Sequence, residues 1–242
     1  AFEPGTRWGY SIADDVLAGL VSVVEGKPFR SYVAENIFDR LGINHCFYHQ
    51  TPEIQAQMAK QYSFVPEGEK ACGDIVEAQK HGNAVKGTFV NVGKNVEGIL
   101  GEEYDSGGAG ITGKISDYVK LMAALANEGR GVNGERIVSR GSVALMKEDQ
   151  LGEAQKRDFN WKQLAGYSYG VGVRSLVDSA LAGTPGNVGE FGWGGAAGST
   201  ALRDTEAGLA FFYAQHTLNP REEYYQPRLR NVVYACLDSV SN

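Results

Sequence analysis

Apolar residues recur with helical spacing in the first forty residues of the chain. They fall three or four positions apart after Ser11 and again after Pro28, and the two runs end at Gly26 and Gly42. A period near 3.6 residues is the mark of an amphipathic helix, and glycine commonly ends one. We therefore predict one helix that Ser11 caps, with Asp14 as the capping-box acid, and a second helix that Pro28 opens.

The next stretch, residues 43–105, shows no clear period and holds many polar side chains. Loops of this length are uncommon inside compact domains, and those that occur are usually functional or packed as a lid. We therefore predict a long irregular insertion here, with one strand near residues 87–92.

The second half of the chain predicts helices, then strands, then a closing helix. Helical spacing returns at residues 116–129 and 139–147. Strands are predicted at residues 167–177, 199–203 and 208–215, with a glycine-rich turn at 192–198. Pro220 is expected to open a terminal helix that reaches about Leu237. Helices that precede an antiparallel meander and a closing helix indicate an α+β architecture.

These elements are expected to form one domain over residues 1–242. The chain has 242 residues, of which 43% are hydrophobic, and this is enough to bury a core. Within the domain we predict a mainly helical region, the irregular insertion, and a region of antiparallel strands with the C-terminal helix. Their bounds are 1–42 with 106–152, 43–105, and 160–242.

The charge balance excludes two classes of partner. The chain carries 23 basic and 29 acidic residues, a net charge of −6, and has no basic run longer than two residues. Nucleic acid binding needs a basic face, so we expect none. The second exclusion rests on hydropathy. No apolar stretch approaches the length of a membrane span, so no transmembrane helix is expected.

The cysteines favour a reducing compartment. Cys46, Cys72 and Cys236 are an odd number and form no CxxC motif, which suits no disulfide framework. A cytoplasmic location fits this pattern, although an export signal would lie upstream of Ala1.

Tyr10 is the first candidate for chemistry. It directly precedes a predicted helix, and the partial positive charge of a helix N-terminus lowers the cost of a phenolate. A tyrosine needs such help, together with cations, to act as a base near neutral pH. From composition alone, a role in packing is the more common one.

Two glycine-rich segments stand out. Residues 190–199 place several glycines in a strand-like run, which favours close approach of the backbone to a ligand or an oxyanion. A plain hairpin turn explains the same residues equally well, whereas the motifs that bind phosphate are absent. The second segment, residues 106–110, is interpreted as a loop that lets two parts of the chain cross closely.

His45 and His49 are the candidates for metal binding. They are four residues apart, but Gly42 ends the preceding helix and no third ligand accompanies them. We interpret both as ordinary loop residues and expect neither a metal nor a cofactor.

Several blocks of the chain, taken in order, resemble one known family. The blocks are residues 2–11 (with Pro-Gly and Tyr-Ser), 13–17, 25–26, 37–43, 106–111 with 117–118, and 189–199. On these blocks the chain resembles the serine β-lactamase/penicillin-binding protein-like family, which includes class C β-lactamases, D-peptidases and β-lactamase-like carboxylesterases. The resemblance runs nearly end to end and is weakest over residues 46–104. It implies a β-lactamase/transpeptidase-like fold.

The resemblance also implies roles for individual residues. Tyr10 corresponds to the second-motif tyrosine, part of the general acid/base apparatus for acyl transfer, and Ser11 and Ile12 follow it in the substrate-binding motif. The third motif corresponds to Trp193, Gly194 and Gly195, on a strand beside the site. The backbone N–H of Ala196 matches half of the oxyanion hole.

The nucleophile of the family is absent from this chain. It would be the serine of a Ser-x-x-Lys motif, and no lysine here has a serine three residues before it. In the family that motif lies upstream of the tyrosine motif. We therefore expect this polypeptide alone to be inactive, and favour a truncated or cleaved chain over a natural pseudoenzyme. The cleaved N-terminal segment is then its expected partner.

Two departures from the family pattern concern the substrate. Ile12 stands where many relatives carry asparagine, and Trp193 stands where β-lactamases carry lysine. An indole cannot bind an anionic carboxylate as lysine does. The hypothesis is an esterase-like serine hydrolase that acts on a neutral ester or amide through an acyl-enzyme. The alternatives are a β-lactamase or D-amino-acid peptidase, and a non-catalytic module that binds ligands.

Overall fold

The computed structural model of the chain describes residues 2–70, 86–93, 104–218 and 221–237. Its helices are α1 (Ala13–Glu25), α2 (Phe29–Val33), α3 (Asp39–Leu41), α4 (Pro52–Gln57), α5 (Ile115–Ala126), α6 (Arg140–Lys147), α7 (Glu153–Lys156), α8 (Ser179–Ala182) and α9 (Glu222–Ala235). A π-helical turn at Ala34–Phe38 joins α2 to α3, and a 3-10 turn lies at Lys162–Leu164. Across these described ranges, no helix is both long and apolar enough to span a bilayer.

The strands form three sheets. Their bounds are β1 (Cys46–Phe47), β2 (Gln61–Pro66), β3 (Gly87–Gly93), β4 (Thr112–Gly113), β5 (Tyr167–Tyr169), β6 (Arg174–Leu176), β7 (Phe191–Gly194), β8 (Thr200–Asp204), β9 (Leu209–Tyr213) and β10 (Thr217–Leu218). The largest sheet is antiparallel, in the order β5-β6-β7-β8-β9, and so confirms the predicted meander. Because β7 pairs with β6 and β8, the strand that carries the third motif lies in the middle of this sheet.

The core beneath β7 joins the sheet to the helices. Phe191 at the start of β7 is fully buried and clusters with Leu125 of α5, Val143 of α6 and Val173. Each fully buried side chain of this size contributes about 1.5–3 kcal/mol through the area it removes from water. The packing therefore holds β7 rigidly against two helices.

The first predicted helix is confirmed, but its predicted cap is wrong by one residue. Ile12 is the N-cap and makes no side-chain bond, while Ser11 Oγ accepts the N–H of Ala13 at 3.2 Å. Gly26 ends α1 in the left-handed conformation, with φ of 66°. The predicted helix after Pro28 is confirmed as the continuous helical segment from α2 to α3.

The prediction of an irregular insertion with one strand is wrong for the described part of residues 43–105. The strand near 87–92 exists as β3, but it pairs with β2, which also pairs with β10. The hydrophobic pattern does not predict β2 because two of its inward side chains, Gln61 and Ser63, are polar and yet buried. Residues 71–85 and 94–103 lie outside the described residues.

Two further strand predictions need correction. Residues 167–177 form the hairpin β5–β6 rather than one strand, because the chain turns back between Gly170 N and Val173 O, 2.7 Å apart. Residues 192–198 begin as strand, since β7 extends to Gly194. The terminal helix is confirmed as α9, whereas Pro220 lies outside the described residues. The assignment of all 242 residues to one domain stays a prediction.

The loop at residues 106–110 brings two segments into close contact, as predicted. A Cβ on Gly107 would lie 2.2 Å from the carbonyl oxygen of Asp14, so only glycine fits there. Ser106 Oγ donates to Asp15 Oδ1 at 2.6 Å and ties the loop to the first turn of α1.

Asp117 is a buried carboxylate that holds the β1 segment against α5. Its Oδ2 accepts the backbone N–H groups of Asn44 and His45 at 2.9 and 2.8 Å, and its Oδ1 lies 2.8 Å from Lys120 Nζ. The hydrogen bond from Lys120, joined by those from the backbone, holds the pKa of Asp117 well below its usual range, although burial opposes it. We expect Asp117→Asn to lower the free energy of unfolding by about 2 kcal/mol at pH 7.

This loss should depend on pH in one direction. Because the folded-state pKa is depressed, the stabilisation is complete above the unfolded pKa of about 4 and declines as the pH falls below it. Urea denaturation at pH 7 and near pH 3 should show a smaller difference between wild type and variant in acid. Equal differences would contradict this account. Asp39→Asn, at an exposed position on α3, is the control and should change stability by less than about 0.5 kcal/mol.

Candidate active site

Tyr10 and Trp193 are distant in sequence but adjacent in the fold. Their ring centroids are 6.1 Å apart, with 6° between the ring planes. The ring of Trp161 lies 5.5 Å from Tyr10 and 6.3 Å from Trp193. The second-motif and third-motif residues suggested by the resemblance therefore meet at one place.

More aromatic rings surround this pair. We call the group the aromatic wall; its members are Trp8, Tyr10, Phe159, Trp161, Tyr169 and Trp193. Tyr169 lies 5.8 Å from Trp193, and Phe159 lies 4.9 Å from Trp8, centroid to centroid. Sequence reasoning missed Trp161 and Tyr169, because nothing in the local pattern separates them from ordinary core aromatics.

The segment that carries Tyr10 is fastened to the far side of the wall. Arg7 donates to Asp158 Oδ1 at 2.7 Å, and the backbone N–H of Trp8 donates to the same carboxylate at 3.2 Å. Trp8 then packs edge-on against Phe159. These contacts fix the direction of the chain just before Tyr10.

The side chains of Ser11 and Ile12 make no aromatic contact of the kind that joins Tyr10 to Trp193. The hydroxyl of Ser11 is used by the Ala13 N–H, and the side chain of Ile12 is 72% exposed. Their predicted contact with substrate stays a prediction.

The end of β7 presents backbone rather than side chains. Gly194 pairs with Thr200, and a tight turn follows, in which Gly195 N donates to Ser199 O at 2.7 Å. Ala196 lies exposed in this turn, and its N–H donates to no acceptor within the described residues. An unpaired N–H beside an aromatic wall is suited to receive an oxyanion.

A groove of about 430 Å³ runs from the aromatic wall along α1. Tyr10, Tyr169 and Trp193 line one end, and α1 and the Gly107 loop line the rest. Asp14 is the one ionisable acid among its lining residues, and none of them is basic. The lining therefore offers mixed polar and apolar surface with one carboxylate and no positive charge.

The exposed face of α1 continues this groove. Of the thirteen residues of α1 only Ala18 is buried, while large apolar side chains stand more than half exposed. These are Val16, Leu17, Leu20, Val23 and Val24. Apolar surface of this extent usually marks an interaction site.

The electrostatics around Tyr10 correct one expectation. Partial burial, then the nearby carboxylates of Asp14 and Glu222, raise the pKa of Tyr10; a hydrogen bond from Trp193 opposes them, and Asp15 adds a smaller effect to the rise. The N-terminus of α1 was expected to lower the pKa of Tyr10, but the pKa is raised, because Tyr10 is partly buried and the first turn of that helix carries two of these carboxylates. Glu222, from the other end of the chain, was not foreseen.

The two candidate metal ligands are used within the fold. His45 Nδ1 lies 3.1 Å from Asp117, and His49 Nε2 lies 3.0 Å from Asp105. In the parts of the chain that the structure describes, no three His, Cys, Asp or Glu side chains gather as a metal site requires.

Comparison with known proteins gives a consistent picture. A protein-family model named Beta-lactamase matches residues 1–235. Esterase EstB of Burkholderia gladioli is 29% identical over 220 residues, which cover 90% of this chain and 51% of EstB. The chain thus spans about half the length of this curated relative.

Solved structures share the fold. EstCE1, "a hydrolase with promiscuous acyltransferase activity", superposes with a TM-score of 0.71 at 24% identity, over 96% of this chain and 57% of that one. The unliganded selenomethionyl form of simvastatin synthase LovD from Aspergillus terreus superposes with a TM-score of 0.73 at 21% identity, over 97% and 57%. These likenesses confirm the α+β, β-lactamase/transpeptidase-like fold.

Proposed function

The chain belongs to the beta-lactamase family of serine hydrolases, and from this premise we propose that the whole protein cleaves a neutral ester or amide through an acyl-enzyme. One observation carries the proposal. The hydroxyl-bearing ring of Tyr10 stacks beside Trp193 on β7, and the same strand leads to the unpaired N–H of Ala196. In this proposal Tyr10 is the proton-transfer group, and the N–H of Ala196 is an oxyanion donor.

The nucleophile must come from outside the described residues. We infer that a segment with a Ser-x-x-Lys motif lies along the groove and covers the apolar face of α1. The serine then stands near Tyr10, and the lysine supplies the cation that lowers the cost of a Tyr10 phenolate. This chain is competent only together with that segment.

The chemistry then follows from these groups. The Tyr10 phenolate, held beside the cationic lysine, accepts the serine proton as the serine oxygen attacks the substrate carbonyl, and the N–H groups of Ala196 and of the serine itself bind the oxyanion. The proton passes to the leaving alcohol or amine as the acyl-serine forms. Water hydrolyses the acyl-serine by the same steps in reverse.

The preference for a neutral substrate rests on the groove. Trp193 replaces the lysine of β-lactamases, and the lining offers aromatic rings and one carboxylate but no basic group. An anionic β-lactam would meet repulsion from Asp14, whereas an apolar acyl group gains contact area. The name of EstB, an esterase, agrees with this substrate class.

The test is turnover of p-nitrophenyl butyrate and of nitrocefin by the chain alone and co-expressed with the Ser-x-x-Lys segment of the full-length protein. We expect no turnover above buffer by the chain alone, and ester hydrolysis that exceeds nitrocefin hydrolysis by the pair. A segment with its motif serine changed to alanine is the matched control and should restore nothing.

The other outcomes separate the alternatives. Activity of the chain alone would place the nucleophile within these residues. Faster turnover of nitrocefin would favour a β-lactamase. A stable pair that hydrolyses neither compound would indicate a module that only binds ligands.

A further inference from the structure

We propose that Glu222 is a positioning residue of this site, which links α9 to the aromatic wall and acts through space on the Tyr10 hydroxyl. The proposal rests on the proposed function only where it gives Tyr10 a role in proton transfer. The link itself is open to measurement without any substrate.

Glu222 lies in the first turn of α9, directly against the third-motif strand. A Cβ on Gly194 would lie 3.4 Å from Glu222 Oε2 and 2.8 Å from Gln226 Nε2. Gln226 is 6% exposed, its Oε1 accepts from Arg174 at 3.4 Å, and its Nε2 donates to no acceptor among the described residues. The glycine at 194 thus admits the polar side chains of α9 to the back of the strand.

Glu222 also contacts the segment that carries Trp161. Gln163 Nε2 donates to Glu222 Oε2 at 3.4 Å, and Gln163 stands two residues after Trp161 in the 3-10 turn. Trp161 in turn lies beside both Tyr10 and Trp193. A change at Glu222 therefore reaches the aromatic wall through one hydrogen bond.

The groups that act on Glu222 come from three elements. Arg174 on β6 and Glu223 on α9 act by charge, and Gln163 in the 3-10 turn acts by a hydrogen bond. Burial raises the pKa of Glu222 to about 7, more than Arg174 and Gln163 lower it. Its charge therefore changes in the neutral range.

The sign of the effect on Tyr10 follows from Coulomb's law. An ionised Glu222 disfavours a second negative charge nearby, so it raises the pKa of Tyr10. A neutral Glu222 removes this opposition. The pKa of Tyr10 is therefore lower while Glu222 is protonated than after Glu222 has ionised.

The experiment follows the Tyr10 hydroxyl in the folded 242-residue chain by NMR of ring-¹³C tyrosine, with Tyr10→Phe to assign the resonance. We expect Glu222→Gln to lower the Tyr10 midpoint by about half a pH unit. Glu222→Asp keeps the charge and should leave the midpoint near that of wild type. Glu223→Gln, its neighbour on α9, is the matched control and should leave it unchanged.

A second measurement uses only the wild-type chain. In the wild-type chain the Tyr10 resonance should show a small inflection near pH 7, where Glu222 ionises. Absence of that inflection, or equal midpoints in Glu222→Gln and Glu223→Gln, overturns the proposal. An inactive reconstituted enzyme with the inflection present would instead contradict the proposed function alone.

Discussion

Tyr10→Phe is expected to lower ester turnover by the reconstituted enzyme about a thousandfold, within the range that general acid/base groups contribute. The variant keeps the ring that stacks beside Trp193 and removes only the hydroxyl. Because that hydroxyl takes part in proton transfer and not in binding, kcat should fall while KM stays nearly constant. The measurement is the initial rate with p-nitrophenyl butyrate over a range of concentrations.

The control for this prediction is a tyrosine outside the groove. Tyr225 lies on α9 and is 48% exposed, so Tyr225→Phe should change turnover by less than about twofold. If Tyr10→Phe also falls within this range, Tyr10 has no part in the mechanism. A rise in KM at constant kcat would reassign Tyr10 to substrate binding.

Gly192→Ala is expected to lower the free energy of unfolding by about 3 kcal/mol or more, because the added methyl group has no room. A Cβ at this position would lie 1.9 Å from the carbonyl oxygen of Ala201 and 2.8 Å from its carbonyl carbon. Both atoms belong to the backbone of β8, which pairs with β7 at this point. Relief of the clash therefore requires the two strands to separate.

The control for Gly192 is a helical glycine with free space around it. A Cβ on Gly141 in α6 would meet nothing nearer than Ser139 Oγ at 3.8 Å. Gly141→Ala should raise stability by up to about 1 kcal/mol, because alanine favours the helix. Guanidinium denaturation of both variants measures the difference. A Gly192→Ala protein as stable as wild type would mean that β7 and β8 move apart at little cost.

Much of the fold could be predicted from the sequence because its longer helices obey a simple period and some of its strands form short apolar runs. The apolar spacing of α1 and α5 and the continuous apolar run of β9 are local properties. β2 was not predicted because its buried residues Gln61 and Ser63 are polar. The strand pairs with strands distant in sequence, and a local pattern does not show such pairing. The β5–β6 hairpin was predicted as a single strand because its turn lies within an otherwise strand-like run of residues.

The candidate site, too, could be predicted only in part. Tyr10 and Trp193 could be singled out because blocks of sequence around them resemble a family, and the family model confirms that relationship. Asp14 and Asp15 lie close to Tyr10 in the sequence, but the third carboxylate could not be predicted, since Glu222 lies on α9. Only the packed structure shows that Glu222 adds to the negative charge near Tyr10.

The contact between Tyr10 and β7 also has a consequence for synthesis on the ribosome. Tyr10 emerges before β7, and Trp193 and the Ala196 turn follow Tyr10 roughly 10–40 s later at usual rates of translation. During that interval α1 displays its apolar residues without the strand that completes the groove. The site therefore assembles only after β7 and the turn that follows it have emerged.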